Sequence, residues 1–241
     1  MGRVRGAVRG RIMTVIWRPG DRIQHRGGGV RIWTPRGGAA PVIPWYLSGG
    51  IAAANCLAVY QPKGAVGLAD SYNNLAAPGN GLPDGTYDAY PGTAPTWDAV
   101  NGWSGATSLN TDLIPTVANT WSAIVRFSNA GAFTNTALFY AQNGGFGLFQ
   151  ISVGDRREYR NYSAVRYVGV ATASGVIAFA GNQAYINSVS DGAMGGPILG
   201  APYPNIVLVT PGAVRVQAYA FYNVTISAAQ VAAVSAAVAL L

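Results

Sequence analysis

Nine arginines and a single acid, Asp21, fall within the first forty residues, a net charge of +8 on a segment that has no lysine. From residue 41 onward the chain carries seven bases against eight acids, a net −1. Charged side chains are almost never fully buried unless paired. Residues 1–40 therefore cannot supply a hydrophobic core, and the fold must be built from residues 41–241. The sequence thus divides into an Arg/Gly-rich arm, 1–40, and an apolar body, 41–241, with the Pro-Val-Ile-Pro of residues 41–44 as the joint.

The body reads as β-structure. Runs rich in Val, Ile, Tyr, Phe and Trp, such as 121–127, 146–151, 176–180, 206–210 and 214–222, alternate with Gly, Pro, Asn and Asp clusters. Short runs with turn signals at this spacing predict an all-β sandwich. In 121–127 a period of two puts Trp121, Ala123, Val125 and Phe127 on one face. In 214–222 the same period groups Val214, Val216, Ala218, Ala220 and Tyr222. Gly181-Asn182 predicts a tight hairpin turn. One helix is expected, at the C-terminus. Ser227 and Gln230 have capping-box spacing, and Val231, Val234, Val238 and Leu241 then form one stripe.

The residue inventory argues against catalysis. A nucleophilic triad needs a histidine oriented in a pocket, and the one histidine, His25, lies in the arm. Zinc needs several Cys or His ligands, against one Cys and one His here. Cys56 sits in an apolar run and reads as a small buried hydrophobe. Glycoside hydrolysis needs two carboxylates. The only glutamate, Glu158, lies in a charged segment, 154–160, expected to be a loop, and Asp84 with Asp88 reads as turn chemistry. No phosphate-binding glycine motif occurs. No apolar segment follows the N-terminal arginines, so no secretory signal is expected. The Asn-x-Ser/Thr triplets at Asn161 and Asn223 carry no weight without one. Residues 224–241 are too short and alanine-rich for a membrane span. The expectation is a soluble or assembly-bound protein with no membrane partner and no cofactor beyond a candidate calcium ion.

From residue 45 to the C-terminus the chain resembles the laminin-G-like, concanavalin A-like jelly rolls. The resemblance is carried by residues 58–65 (AVYQPKGA), 92–103 (GTAPTWDAVNGW), 120–127 (TWSAIVRF), 176–187 (VIAFAGNQAYIN) and 220–231 (AFYNVTISAAQV). It implies a two-sheet antiparallel jelly-roll sandwich closed by a short C-terminal helix, with the basic arm as an addition outside the family pattern. Proteins of this kind occur among phage and environmental viral structural proteins and on cell surfaces. The chain departs from the glycan-hydrolysing members, which carry paired acids on a strand. The resemblance also implies a calcium site, for which Asp98, Asn101 and Asp112 offer oxygens of the hard type that calcium takes; the alternative is ordinary turn chemistry. Lectin sites stack sugars on exposed aromatics, and Tyr87, Tyr90, Trp97, Asn101 and Trp103 crowd one stretch. Trp97 and Trp103 read more readily as core than as platform.

Arginine binds phosphate and carboxylate bidentately. Arg3, Arg5, Arg9, Arg11, Arg18, Arg22, Arg26, Arg31 and Arg36, with Trp17 and Trp33 in two β-prone patches, suit docking by strand addition onto a protein partner. Nucleic-acid binding and a solvated tail are the alternatives. A second cluster, Arg156, Arg157, Arg160 and Arg166 among Tyr159, Tyr162 and Tyr167, is expected to be a solvated loop or a subunit contact. The first functional expectation is a non-enzymatic virion structural protein, a capsid decoration or tail-fibre-type surface protein. The arm would anchor it to other virion proteins in a homo-oligomer or lattice. The alternative is a glycan-binding, lectin-like adhesion module on a virion or cell surface.

Overall fold

The computed structural model describes residues 43–76, 86–105, 107–115, 121–129, 136–141, 145–151, 156–162, 164–168, 172–196, 205–210 and 212–241. The arm, with all its arginines, Trp17, His25 and Trp33, lies outside the described residues, as does Asp84.

The strands are β1 (Cys56–Tyr60), β2 (Tyr90–Pro91), β3 (Thr96–Asp98), β4 (Gly102–Ser104), β5 (Thr107–Asn110), β6 (Ser122–Ser128), β7 (Thr136–Ala141), β8 (Phe146–Ile151), β9 (Arg156–Asn161), β10 (Ala164–Val168), β11 (Gly175–Ala180), β12 (Gln183–Ile186), β13 (Val189–Ala193), β14 (Ile206–Thr210) and β15 (Arg215–Tyr222). They form two antiparallel sheets. The eight-stranded sheet runs β13-β12-β11-β6-β15-β4-β3, with β1 pairing the far end of β15, and the seven-stranded sheet runs β10-β9-β8-β7-β14-β5-β2. This is the all-β sandwich expected from the sequence, and the helix α1 (Ala228–Val238) closes it.

The core lies between the sheets. Inward side chains include Tyr60, Trp103, Phe127, Phe139, Phe146, Phe179, Tyr219 and Phe221, all fully or almost fully buried. The rings meet edge-on or tilted, as aromatic quadrupoles prefer: Phe139 and Phe221 at 4.9 Å between centroids, Phe146 and Phe179 at 5.2 Å. A second apolar layer lies on the outer face of the eight-stranded sheet. There Val59, Ile124, Ala178, Ala220 and Tyr222 pack under Val231, Val234 and Val238 of α1. The Ser227 hydroxyl accepts from the Gln230 amide, and the Gln230 side chain accepts from the Ser227 amide, completing the capping box. At the other end of the helix, the Arg126 guanidinium donates to the Val238 carbonyl. The Tyr222 hydroxyl donates to the Tyr46 carbonyl at 2.9 Å and ties in the turn Trp45–Leu47. Among the described residues no helix is long and apolar enough to cross a membrane.

Two expectations need correction. The alternation over 214–222 does not hold through β15. The register shifts between Val216 and Ala218, opposite Phe127 and Arg126. The extra residue is Gln217, a bulge that reverses the side-chain order. Val214 and Val216 face the inner core, whereas Ala218, Ala220 and Tyr222 face the helix and Tyr219 and Phe221 turn inward. Of the segment expected as a charged loop, residues 156–160 lie in strand β9. Its inward positions are Arg157, Tyr159 and Asn161, each no more than 6% exposed. Arg157 binds Asp191 on β13, and Val165 on β10 pairs with Gly195 just beyond β13, joining one edge of each sheet. Of this cluster, Arg157 and Tyr159 belong to a seam inside the sandwich, so a solvated loop is ruled out for Arg157, whereas Arg160 is half-buried and Tyr167 exposed.

Candidate functional site

The two outer faces of the sandwich differ. The helix covers that of the eight-stranded sheet. On the seven-stranded sheet, Leu109, Leu208, Phe139, Phe146 and Tyr159 turn inward, so the alternate residues point away from the core. Register places seven of these in one row, each paired with the next: Tyr90, Asn110, Val207, Tyr140, Gly147, Arg160 and Val165. Tyr90 is 46% exposed and Val207 is buried. Asn110, Tyr140, Arg160 and Val165 are half-buried. A second row holds Phe149, Glu158 and Tyr167. The face is aromatic and polar.

At one end of the first row, Tyr90 donates its hydroxyl to Asp112 Oδ1 at 2.6 Å, and Asn205 Nδ2 donates to the same oxygen at 2.8 Å. Among the described residues these two bonds fall on Oδ1 and Oδ2 receives none. Three strand ends build the cluster: Tyr90 opens β2, Asp112 follows β5 and Asn205 precedes β14. Asp112 adopts φ +54°, a conformation Asp tolerates better than most residues. The turn is pinned on both sides. Thr111 Oγ1 donates to the Ile206 carbonyl at 2.8 Å, and the Ile206 amide donates to the Leu113 carbonyl at 2.8 Å. The hydrogen bond to Asp112 raises the Tyr90 phenol above its ordinary pKa, with burial and the carboxylate charge adding to the shift. An exposed ring, a carboxylate and an amide thus share one rim.

Toward the other end, Glu158 accepts from Arg160, and the Arg160 guanidinium carbon lies 4.9 Å from the centroid of the Phe149 ring. Glu158 is 1% exposed and Tyr167, opposite it on β10, is 51% exposed. Gly147 has no room for a side chain. A Cβ there lies 2.6 Å from the Phe139 carbonyl oxygen and 2.8 Å from the Phe149 ring.

Other residues singled out from the sequence lie elsewhere. Trp103 is fully buried, donates its indole N–H to Ser71 Oγ at 2.8 Å and leans on Tyr72 and Tyr219. Burial excludes it as a sugar platform. Trp97, its cross-strand partner, is half-buried and donates to the Pro62 carbonyl at 2.8 Å. Tyr87, at φ +59°, is half-buried against the core, and its carbonyl accepts from the Tyr60 hydroxyl. Asp98 and Asn101 close the β3–β4 turn. Asp98 Oδ1 accepts from the Val100 and Asn101 amides at 2.9 and 2.6 Å, and Oδ2 accepts from Asn101 Nδ2 at 3.0 Å. The Asn101 side chain, foremost, and these amides hold the Asp98 carboxyl below its usual pKa. Asp112 belongs to the other sheet, so the three candidate calcium ligands are not brought together. Among the described residues no group of three or more His, Cys, Asp or Glu is placed to hold a metal. Asp88 Oδ1 accepts from the Asn74 amide at 2.7 Å, a bond across 14 residues rather than a local turn. Sequence reasoning selected Tyr90 and Asp112 for separate roles, and it missed Asn205, which lies 93 residues from its partner Asp112.

No family model matches the chain, nor does any curated protein sequence. Solved structures do resemble it. A Trypanosoma rangeli sialidase in complex with sialic acid matches with a TM-score of 0.54 at 12% identity, over 83% of this chain and 35% of the sialidase. A structure of botulinum neurotoxin type C, whose passage into cells depends on interaction with two ganglioside molecules, matches with a TM-score of 0.52 at 6% identity, over 77% of this chain and 52% of the toxin chain. The binding domain of botulinum neurotoxin serotype D/C matches with a TM-score of 0.51 at 8% identity, over 77% and 53%. The chain therefore spans about a third of the sialidase and about half of the toxin chains. At these identities the likeness is one of fold.

Proposed function

We propose that the jelly roll is a non-catalytic glycan-binding module and that Tyr90, Asp112 and Asn205 form its primary subsite. The observation that carries this reading is the pairing of an exposed tyrosine ring with a carboxylate held in place by an amide. A ring supplies a flat apolar surface for the C–H face of a sugar. A carboxylate oxygen and an amide supply the few oriented polar contacts that fix a ligand. The fold shared with a sialidase bound to sialic acid and with a ganglioside-dependent toxin is consistent with this role. Hydrolysis is not part of the proposal. It needs two carboxylates flanking the bond, and on this face Glu158 is buried and bound to Arg160.

The test is a glycan array probed with the full-length protein at raised salt, so that arm-driven binding to acidic sugars is screened. Saturable binding that Tyr90→Ala weakens at least tenfold is expected. An array without a hit overturns the reading.

A second reading concerns where the module acts. The confinement of +8 of charge to residues 1–40 favours an anchor, and we propose that the arm docks the module onto a particle, as in a virion surface protein. Removal of residues 1–40 is then expected to abolish attachment to the particle. Full attachment of the truncated chain would refute the anchor.

A further inference from the structure

The row that begins at Tyr90 continues past the primary subsite. Tyr140 lies three strands away, about 14 Å at the usual spacing between strands. Arg160 is two strands further, about 10 Å more, and Tyr167 sits on the adjoining edge strand, 51% exposed. Between Tyr140 and Arg160 the row passes through Gly147, which bears no side chain and over which the Phe149 ring leans. Between Asn110 and Tyr140 it passes through the buried Val207. Rings therefore stand at intervals along the row, separated by the buried Val207 and Gly147, with polar groups from Asn110, Asp112 and Asn205 at one end.

Charge narrows the ligand further. The guanidinium of Arg160 is bound to Glu158 and stacked on Phe149. The formal charge of that pair cancels, and Asp112 adds a negative charge at the other end. An acidic sugar would meet repulsion at Asp112 and find Arg160 already paired; a neutral one would not.

Building on the glycan-binding reading, we infer that this face takes an uncharged linear oligosaccharide lying across the strands, with Tyr90, Tyr140 and Tyr167 as successive stacking positions. A monosaccharide reaches only the Tyr90 subsite, whereas a longer chain also covers Tyr140 and Tyr167. Affinity must then grow with chain length, and the growth must depend on the distant tyrosines.

The experiment is calorimetric titration of the full-length protein with neutral cello-, laminari-, malto- and chito-oligosaccharides, from disaccharide to hexasaccharide, alongside sialyllactose as the acidic probe. In the series that binds, the hexasaccharide is expected to bind about tenfold or more tightly than the disaccharide, the gain of one or more ring contacts. Tyr140→Ala should remove most of that gain and leave the disaccharide unchanged, whereas Tyr90→Ala should weaken every length. An unchanged thermal midpoint for Tyr140→Ala shows that the fold is intact, and Tyr167→Ala, at an exposed edge position, gives an independent reading. Affinity that is flat with length, or hexasaccharide binding that survives both substitutions, overturns the extended strip while leaving the Tyr90 subsite standing. Sialyllactose binding lost in Arg160→Gln overturns the neutral-ligand assignment. Failure of every sugar to bind overturns the glycan-binding reading itself, and this inference with it.

Discussion

Arg157 on β9 and Asp191 on β13 meet across the gap between the two sheets, with Nη2 2.9 Å from Oδ2 and Nε 3.1 Å from the same oxygen. The Tyr159 hydroxyl donates to that oxygen at 2.6 Å, and Thr172 Oγ1 accepts from Arg157 Nη1 at 2.9 Å. Both charged side chains are nearly buried, at 8% and 11% exposure. Asp191→Ala removes the carboxylate to which the nearly buried guanidinium and the phenol both donate, and a loss of about 3 kcal/mol is expected. Urea unfolding of the variant measures it. A loss below about 1 kcal/mol, the scale of a surface pair, would show that the seam does not hold the sheets together.

Trp103 separates core from platform. Its indole is fully buried between Tyr72 and Tyr219, so Trp103→Ala should cost about 4 kcal/mol of stability. A variant that kept full stability and lost only ligand binding would contradict this placement.

Cys56 is buried against Tyr46 and Tyr222, and burial pushes its thiol well above the ordinary range. The thiolate is the reactive form. Labelling with a disulfide reagent at mildly alkaline pH should therefore be slow in the folded protein and fast in denaturant. Immediate labelling of the folded protein would show that the site opens readily.

Tyr90 reports on its own hydrogen bond to Asp112. Its phenol pKa is raised because the neutral form donates to Asp112. A raised folded-state value means that this stabilisation is present below the ordinary tyrosine pKa of about 10 and is lost as the pH rises through the folded value. Asp112→Asn should bring the Tyr90 titration back toward its ordinary midpoint, seen as earlier tyrosinate absorbance and absent in Tyr90→Phe. An unchanged titration in Asp112→Asn would show that the hydrogen bond does not form in solution.

The parts of the fold legible in the sequence are those fixed by near neighbours. The capping box at Ser227 and Gln230 needs only three residues of spacing. The Gly181-Asn182 turn joins β11 to β12 with Gly181 at φ +56°, as a glycine at the first turn position allows. The period of two in β6 survives because its whole length is flanked by β11 and β15. The bulge at Gln217 was not legible, because it answers to a shift against β6, far away in sequence. Strand β9 was misread because consecutive charges look solvated. Arg157 instead finds its acid 34 residues later, on β13.

The candidate site divides the same way. Tyr90 and Asp112 were visible as residue types, an exposed-looking aromatic and a hard oxygen donor. Their meeting was not, since it depends on β2 and β5 lying side by side. Asn205 gave no local signal at all.

The helix on one outer face fixes how such a domain can be mounted. Residues 45–47 and Leu241 both pack with the α1 layer, on the side away from the tyrosine row. A bead, tag or scaffold joined near either end of residues 43–241 leaves the tyrosines facing outward. An array of copies tethered in this way would present its tyrosine rows to the medium in parallel, where weak individual contacts of any ligand multiply into avidity.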